Sequence, residues 1–460
     1  MNKRFGPWSF YREALAIALP VMAQQFIMSM VSLIDNFMVA GLGDVSMAAV
    51  NVTNHLYFIY IVLINTICQA GGIYIAQFRG AGNSDGMKHA FRFKVIFGVT
   101  ASLLAFAASR LFPQALLAMM TAGNASQAEI VNVGSQYFKL VSWTFLPFAI
   151  SSSIGTSFRE IARPKVPLII SVFAALINTF GNWVLIYGNL GAPRLEVMGA
   201  AITTIISRLF EVSAFIFYAA RAKAPFFVVP ARIFQIHKKL INGILFRSGM
   251  IFASELSWIS AETVMIAMYN RRGGAEVVAG MAAGWNIANI FFLLFGGIWT
   301  ASAILVGGTL GAGKLDEARR RAEWLKSGSV IAGILLSMPG ALLSYVLIPV
   351  VFFNLSVAAR ANCFGLVLVI LVYLPLWCLL NVQFAISRAG GDAAMGMYAD
   401  VSVNTILFLP GSVILSYFTT MSPVPMFALL KTTDIVKYLI CRFFLRKERW
   451  VKNLTAPHID

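Results

Sequence analysis

The sequence predicts an all-α polytopic membrane protein, with twelve transmembrane helices in two six-helix lobes. Three observations predict it. Of 460 residues, 59% are hydrophobic and only 12% charged, where a soluble domain carries about 25% charge; mean hydropathy is +0.77. The apolar runs reach or exceed the roughly 20 residues of a spanning helix and are too long for barrel strands. A turn motif also recurs at equivalent points of two six-run halves.

The first span, 14–40, contains two features that are out of place in lipid. Pro20 removes the helical hydrogen bond to the carbonyl of Ala16 and marks a hinge. Asp35 places a carboxylate in the span, at a cost of about 2.5–3.5 kcal/mol at a helix centre. The second span, 50–77, leads into Gly80-Ala81-Gly82-Asn83-Ser84-Asp85 and then a basic helix start at Lys88 and Arg92. Spans three to six follow at 91–111, 133–157, 164–187 and 197–220. A basic linker, 221–247, separates the N-lobe, 1–220, from the C-lobe, 248–460. The C-lobe spans lie at 244–269, 278–307, 328–353, 361–387, 393–418 and 424–445. Between its second and third spans stands Gly311-Ala312-Gly313-Lys314-Leu315-Asp316, 231 residues after the first copy, again before a basic start at Arg319, Arg320 and Arg321. Six spans per half is an even number, so the halves are parallel repeats related by a pseudo-two-fold along the membrane normal.

The net charge of +17 does not point to nucleic acid, because the bases cluster in short loops between spans. The tails and the loops after even-numbered spans carry most of them. The other side keeps Arg110, Arg194, Arg271, Arg272 and Arg360. The positive-inside rule then puts both termini and the linker in the cytoplasm. The first apolar run is too long for a cleavable signal. Cys68, Cys363, Cys378 and Cys441 form no CxxC pair and read as packing residues. His55 reads as a satisfied core residue. No HExxH, Walker or nucleophile-elbow pattern is present, so no enzyme and no bound cofactor or resident metal is expected.

The chemistry is expected at the polar residues inside spans. Desolvation disfavours a charged carboxylate, while cations or hydrogen bonds favour it, so Asp35 can exchange a proton or hold a cation. Asn178 and Asn182, four apart, share a helix face; Thr204 lies in the next span. In the C-lobe, Glu255 and Glu262 are seven apart on span seven, and Glu262 is the counterpart of Asp35 once an insertion near Tyr269 is allowed. Asp434, between Lys431 and Lys437, reads as a neutralised cluster, and Asp400 has no obvious partner. Gln24, Asn36, Asn65, Gln69, Trp258, Trp285, Asn381 and Gln383 are candidates for lining a cavity, the aromatics through cation–π contact with flat cations.

Taken together, Ala18-Leu19-Pro20, then Asp35 before Val39-Ala40-Gly41-Leu42-Gly43, the paired Gly-Ala-Gly turns, Asn178 through Asn182 before Ile186-Tyr187-Gly188, and Arg388-Ala389-Gly390-Gly391-Asp392 resemble the multidrug and toxic compound extrusion (MATE) family. The resemblance implies two six-helix lobes in a V and antiport of organic cations against H⁺ or Na⁺ by a monomer in membrane lipid. In the archaeal and DinF-type branch it implies an ion site at an acid like Asp35, an Asn like Asn178, an Asp four residues on and a Thr like Thr204. Here the second acid is Asn182, one charge fewer. In the NorM-type branch it implies a Glu like Glu255, whose Asp partner in span ten is absent; Asn381 and Gln383 stand nearest. Each implied ion set is one acid short, and the resemblance leaves H⁺ or Na⁺ as the ion at Asp35 or Glu255. The alternative within the same superfamily is a lipid-linked oligosaccharide flippase, which is expected to carry a strongly cationic cleft.

Overall fold

The structure, a computed structural model, describes residues 4–122, 126–235 and 238–455. Lys3, one of the N-terminal bases counted for the topology, and residues 236–237 of the linker lie outside the described residues. Among the described residues there is no strand. The helices are α1 Trp8–Ala40, α2 Asp44–Gly80, α3 Ser84–Leu111, the short α4 Pro113–Met120, α5 Gln127–Val141, α6 Phe145–Glu160, α7 Lys165–Tyr187 and α8 Glu196–Arg221. They continue with α9 Lys238–Arg271, α10 Ala275–Ser302, α11 Gly308–Gly311, α12 Leu315–Val351, α13 Val357–Ala389, α14 Ala394–Val403, α15 Leu409–Phe418, α16 Pro423–Lys431 and α17 Thr433–Arg446.

These elements supply the twelve predicted spans. Ten are long, apolar helical stretches. The fourth is α5 and α6 around a 3₁₀ turn, Ser142–Thr144. The twelfth is α16 and α17, interrupted at Thr432. There the Thr432 and Thr433 hydroxyls donate back to the carbonyls of Leu429 and Leu430 at 2.6 and 2.8 Å, a side-chain bond that competes with helix continuation. Two long spans contain a π-turn: Ala303–Gly307 between α10 and α11, and Asn404–Phe408 between α14 and α15.

Several helices begin earlier than their apolar runs, α1 and α12 among them. α1 starts at Trp8 because Phe10 packs edge-on against Trp324, 5.1 Å between ring centres, and the Tyr11 hydroxyl donates to the Trp324 carbonyl at 3.2 Å. α12 starts at Leu315, its polar first turns stabilised by the Arg319–Asp316 and Arg321–Glu317 pairs. The linker is not a solvated tether throughout. Phe226 is fully buried, its ring 5.2 Å from Phe91 and 5.1 Å from Phe158. His55 departs from expectation: it is exposed and lines an open hollow with Asn51, Thr121 and Ile130. It lies on the part of α2 that the surrounding helices leave uncovered. The four cysteines are buried and free.

The chain forms two compact units. One contains Ala23–Ile75 and Asn83–Ile244; the other contains the chain from Leu245 onward, the segment up to Met22, and Ala76–Gly82. α1 therefore passes between units two residues beyond Pro20, through which the helix runs unbroken.

The repeated turn explains how Ala76–Gly82 joins the second unit. A Cβ on Gly80 would lie 1.8 Å from the Gly308 carbonyl oxygen, and one on Gly311 would lie 1.9 Å from that of Gln77. Gln77 and Gly308, like Gly80 and Gly311, stand 231 apart. The two copies of the motif thus cross each other reciprocally, backbone against backbone. The second glycine of each copy, Gly82 and Gly313, has φ of +69° and +76°, the left-handed conformation that glycine adopts without strain. Gln77 fixes the crossing further by donating to the Ala389 carbonyl at 2.7 Å. Gly311→Val is expected to force this crossing apart and destabilise the protein by about 1–3 kcal/mol, the usual cost of overpacking. Thermal unfolding of the purified protein measures it; an unchanged midpoint contradicts the crossing.

Candidate functional site

In the unit that holds Ala23–Ile75, α1, α7 and α8 bring together Asp35, Asn178, Asn182 and Thr204. α7 and α8 approach closely because Gly181 faces Thr203 and Gly199 faces the Leu185 carbonyl; a Cβ at either glycine would come within 2.4 and 2.6 Å of those atoms. With α7 held there, its one polar face carries both asparagines. Asn182 Nδ2 donates to Asp35 Oδ1 at 2.7 Å. The Asn178 amide, turned so that both its ends are satisfied, donates to the two Asp35 oxygens at 3.2 and 3.1 Å. Its other end lies 3.5 Å from Thr204 Oγ1. Asn178 and Asn182 are buried, Asp35 is half-buried, and the Asn182 Oδ1 is buried with no hydrogen-bond partner.

Deeper in the same unit lies a group that the sequence reading did not collect. Gln24 Nε2 donates to the Ser171 hydroxyl at 2.8 Å, Ser171 lies 3.5 Å from Glu211 Oε1, and Glu211 pairs with Arg208 at 2.6 Å. The Arg208 guanidinium also sits 5.2 Å from the Phe148 ring centre. The i,i+3 spacing of Arg208 and Glu211 was the available signal. Nearer the start of α3, buried Lys94 pairs with Glu160 at 2.8 Å and donates to Ser157 at 3.1 Å.

Asn36 is half-buried, and Asn65 and Gln69 are exposed on α2; none of the three joins the Asp35 cluster. Glu255 and Glu262 belong to the other unit, each beside a cation. Arg388 Nη1 donates to Glu255 at 3.2 Å, and Lys431 Nζ to Glu262 Oε1 at 2.5 Å. Lys431 thus goes to Glu262 rather than to Asp434. Lys437 serves Asp400 at 2.9 Å and Asp434 at 3.6 Å, giving Asp400 the partner that the sequence did not reveal. Ser254 also donates to Asp400. Asn381 Oδ1 accepts from Trp299 at 2.9 Å, and Gln383 is buried with its Oε1 unpartnered. Trp285 donates to the Tyr269 hydroxyl at 3.2 Å, and Trp258 is exposed.

The contrast among embedded acids is chemical. Glu160, Glu211, Glu255, Glu262, Asp400 and Asp434 each have a lysine or arginine within ion-pair distance. Among the described residues Asp35 has none at that distance; its hydrogen bonds come from neutral amides, and Arg208, paired with Glu211, acts on it only from farther away. A tethered cation fixes a carboxylate in its charged form, whereas an acid held by neutral donors keeps the choice between proton and charge.

A family model described as MatE matches residues 20–184 and 250–418. A Thermotoga maritima protein named probable multidrug resistance protein NorM is 24% identical over 311 residues, 66% of this chain and 64% of its own length. The Vibrio cholerae multidrug resistance protein NorM is 24% identical over 305 residues, 65% of this chain and 64% of its own length. The match therefore spans a little under two thirds of these relatives. A solved structure described as MATE in complex with MaL6 has TM-score 0.83 at 16% identity, covering 95% of this chain and 96% of that one. At that identity the likeness establishes the fold, the twelve-helix architecture that the sequence predicts.

Proposed function

We propose that this chain, which belongs to the MatE family, exports organic cations across a bacterial inner membrane in exchange for protons, with Asp35 as the exchanging acid. The observation that carries the reading is the Asp35 surroundings: a half-buried carboxylate with amide donors and, among the described residues, no ion-pair partner. The donors also bear on the ion. Asn182 turns an N–H group toward Asp35 and the site holds a single carboxylate, whereas a hard cation such as Na⁺ is held by several oxygen atoms. One carboxylate facing amide nitrogens suits a proton better than Na⁺. The names of the Thermotoga and Vibrio relatives support multidrug efflux as the activity.

The expected cycle uses the two forms of Asp35. The charged form is held by Asn178 and Asn182; the protonated form needs those donors less and tolerates an apolar wall. Pro20 leaves α1 without one backbone bond, so the helix can bend there at little further cost. Protonation then shifts α1 between conformers only by its differential affinity for them, and a cargo favouring the other conformer is released. Alternating access, a monomeric state and cytoplasmic termini complete the proposal, the last on the placement of the bases. A flippase is less well supported, because the embedded bases Lys94, Arg208, Arg388, Lys431 and Lys437 are each spent on a carboxylate.

Uptake of a fluorescent organic cation into inverted vesicles tests the reading. Accumulation is expected with an acid-inside gradient and not with a Na⁺ gradient at clamped pH. Uptake driven by Na⁺ alone overturns proton coupling, and no uptake with either ion overturns cation export.

A further inference from the structure

Lys431 closes α16 where the twelfth span is interrupted, and its side chain is only 9% exposed. Its Nζ lies 5.0 Å from the centre of the Phe408 ring, 5.3 Å from Phe427 and 5.6 Å from Trp377. All three are within the roughly 6 Å over which a ring face attracts a cation. Glu262 Oε1 completes the enclosure at 2.5 Å. The walls come from four elements: Glu262 on α9, Trp377 on α13, Phe408 at the end of the π-turn, and Phe427 on α16. π-turns recur at functional sites because the extra residue re-aims the side chains that follow. Three ring faces with a carboxylate are how proteins hold organic ammonium groups.

Two independent observations indicate room for another positive charge. Glu262 Oε2 is buried and has no hydrogen-bond partner, a costly condition for a carboxylate oxygen. The cluster also sets three carboxylates, Glu262, Asp400 and Asp434, against two ammonium groups, Lys431 and Lys437. The neighbouring Glu255 does not alter this balance, since Arg388 pairs with it. Lys431 has a second counter-ion within reach. Asp434 stands three residues on, across the break at Thr432, and Lys437 holds its Oδ1 loosely at 3.6 Å. Trp377 links the two places: its face walls the cage, and its Nε1 donates to Asp434 Oδ2 at 2.8 Å.

We propose that Glu262, Trp377, Phe408 and Phe427 form a binding site for the ammonium head of an organic cation, and that Lys431 occupies the site as a tethered ammonium until such a cation displaces it. The proposal rests on reading the cargo as an organic cation and gives it a place in the C-terminal unit. The tether sets a selectivity filter. A ligand must outcompete a group held at an effective concentration on the order of millimolar or more. Ammonium or Na⁺, with no apolar body to lay on the rings, fails to displace it; an alkylated or aromatic ammonium gains the extra contact.

The test uses purified full-length protein with no ion gradient, so its outcome is independent of whether proton-coupled export is correct. In Lys431→Ala, n-butylammonium replaces the missing side chain and is expected to raise the unfolding temperature saturably, whereas 1-butanol and butyrate are not. Adding Glu262→Gln is expected to weaken that binding by at least about tenfold. No saturable shift, or an equal shift in the double variant, overturns the site. Because Lys431→Ala exposes a carboxylate and can misfold, the unmodified protein supplies a second reading. Acylation of Lys431 by an N-hydroxysuccinimide ester, followed by mass spectrometry, is expected to rise at least threefold with butyltrimethylammonium and to stay constant with NaCl. Labelling unchanged by butyltrimethylammonium overturns displacement.

Discussion

Asp35→Asn is expected to retain the fold and to lose gradient-driven export. The substitution keeps the shape of a protonated acid and removes the charge change. Asn178 and Asn182 still face an oxygen at that position. No buried cation is orphaned, because none pairs with Asp35 among the described residues and Arg208 keeps Glu211. Accumulation of an organic cation by vesicles is expected to fall by about 5–150-fold, the range of a typical coupling free energy. Binding of the cargo in the absence of a gradient persists. Glu255→Gln is the counterpart on the other unit: it leaves the Arg388 guanidinium without its carboxylate, so its main effect is on stability. Undiminished proton-driven export by Asp35→Asn, with loss in Glu255→Gln, would move the coupling acid to the second unit.

The largest effect on stability is expected at Lys94. Its ammonium is fully buried and is held by both Glu160 oxygens, at 2.8 and 3.1 Å, and by Ser157. The pair is enclosed by α2 at two adjacent glycines: a Cβ on Gly71 would lie 2.5 Å from Lys94 Cγ, and one on Gly72 would lie 2.0 Å from Glu160 Oε1. Lys94→Met leaves the buried Glu160 carboxylate without its ion-pair partner, at a cost of about 3–5 kcal/mol. Lys94→Met with Glu160→Met removes both charges and is expected to recover most of that loss. Denaturant unfolding of the purified single and double variants measures the difference. A single variant within about 1 kcal/mol of the unmodified protein would contradict the description of the pair.

The sequence carries the local part of this account and misses the distant part. Apolar runs longer than a bilayer needs fix the spans, and the 231-residue recurrence of Gly-Ala-Gly anticipates the reciprocal helix crossing at Gly80 and Gly311. Asn178 and Asn182 are legible as one face because four residues make about one helical turn, and both meet Asp35. Side-chain partners far apart in sequence leave no such trace. Glu160 lies 66 residues from Lys94, and Lys431 lies 169 residues from Glu262. The repeat pairs Glu262 with Asp35, yet one has a lysine and the other only amides, a difference set by α16 rather than by span seven. The Lys431–Asp434–Lys437 spacing suggested a self-contained cluster. The break at Thr432 instead lets Lys431 turn to another helix. His55 looked like a core histidine because its run is apolar, but the exposed positions around it, Asn51, Asn54, Phe58 and Ile59, mix polar and apolar side chains.

The claim that Asp35 exchanges its proton against the cargo is tested most directly by proton release on binding. Purified protein in weakly buffered detergent, with a pH-indicating dye, receives a saturating organic cation below the pH at which Asp35 ionises. The account predicts that the unmodified protein releases about one proton per cation bound and that Asp35→Asn binds the cation and releases none. Equal release from both proteins would contradict it.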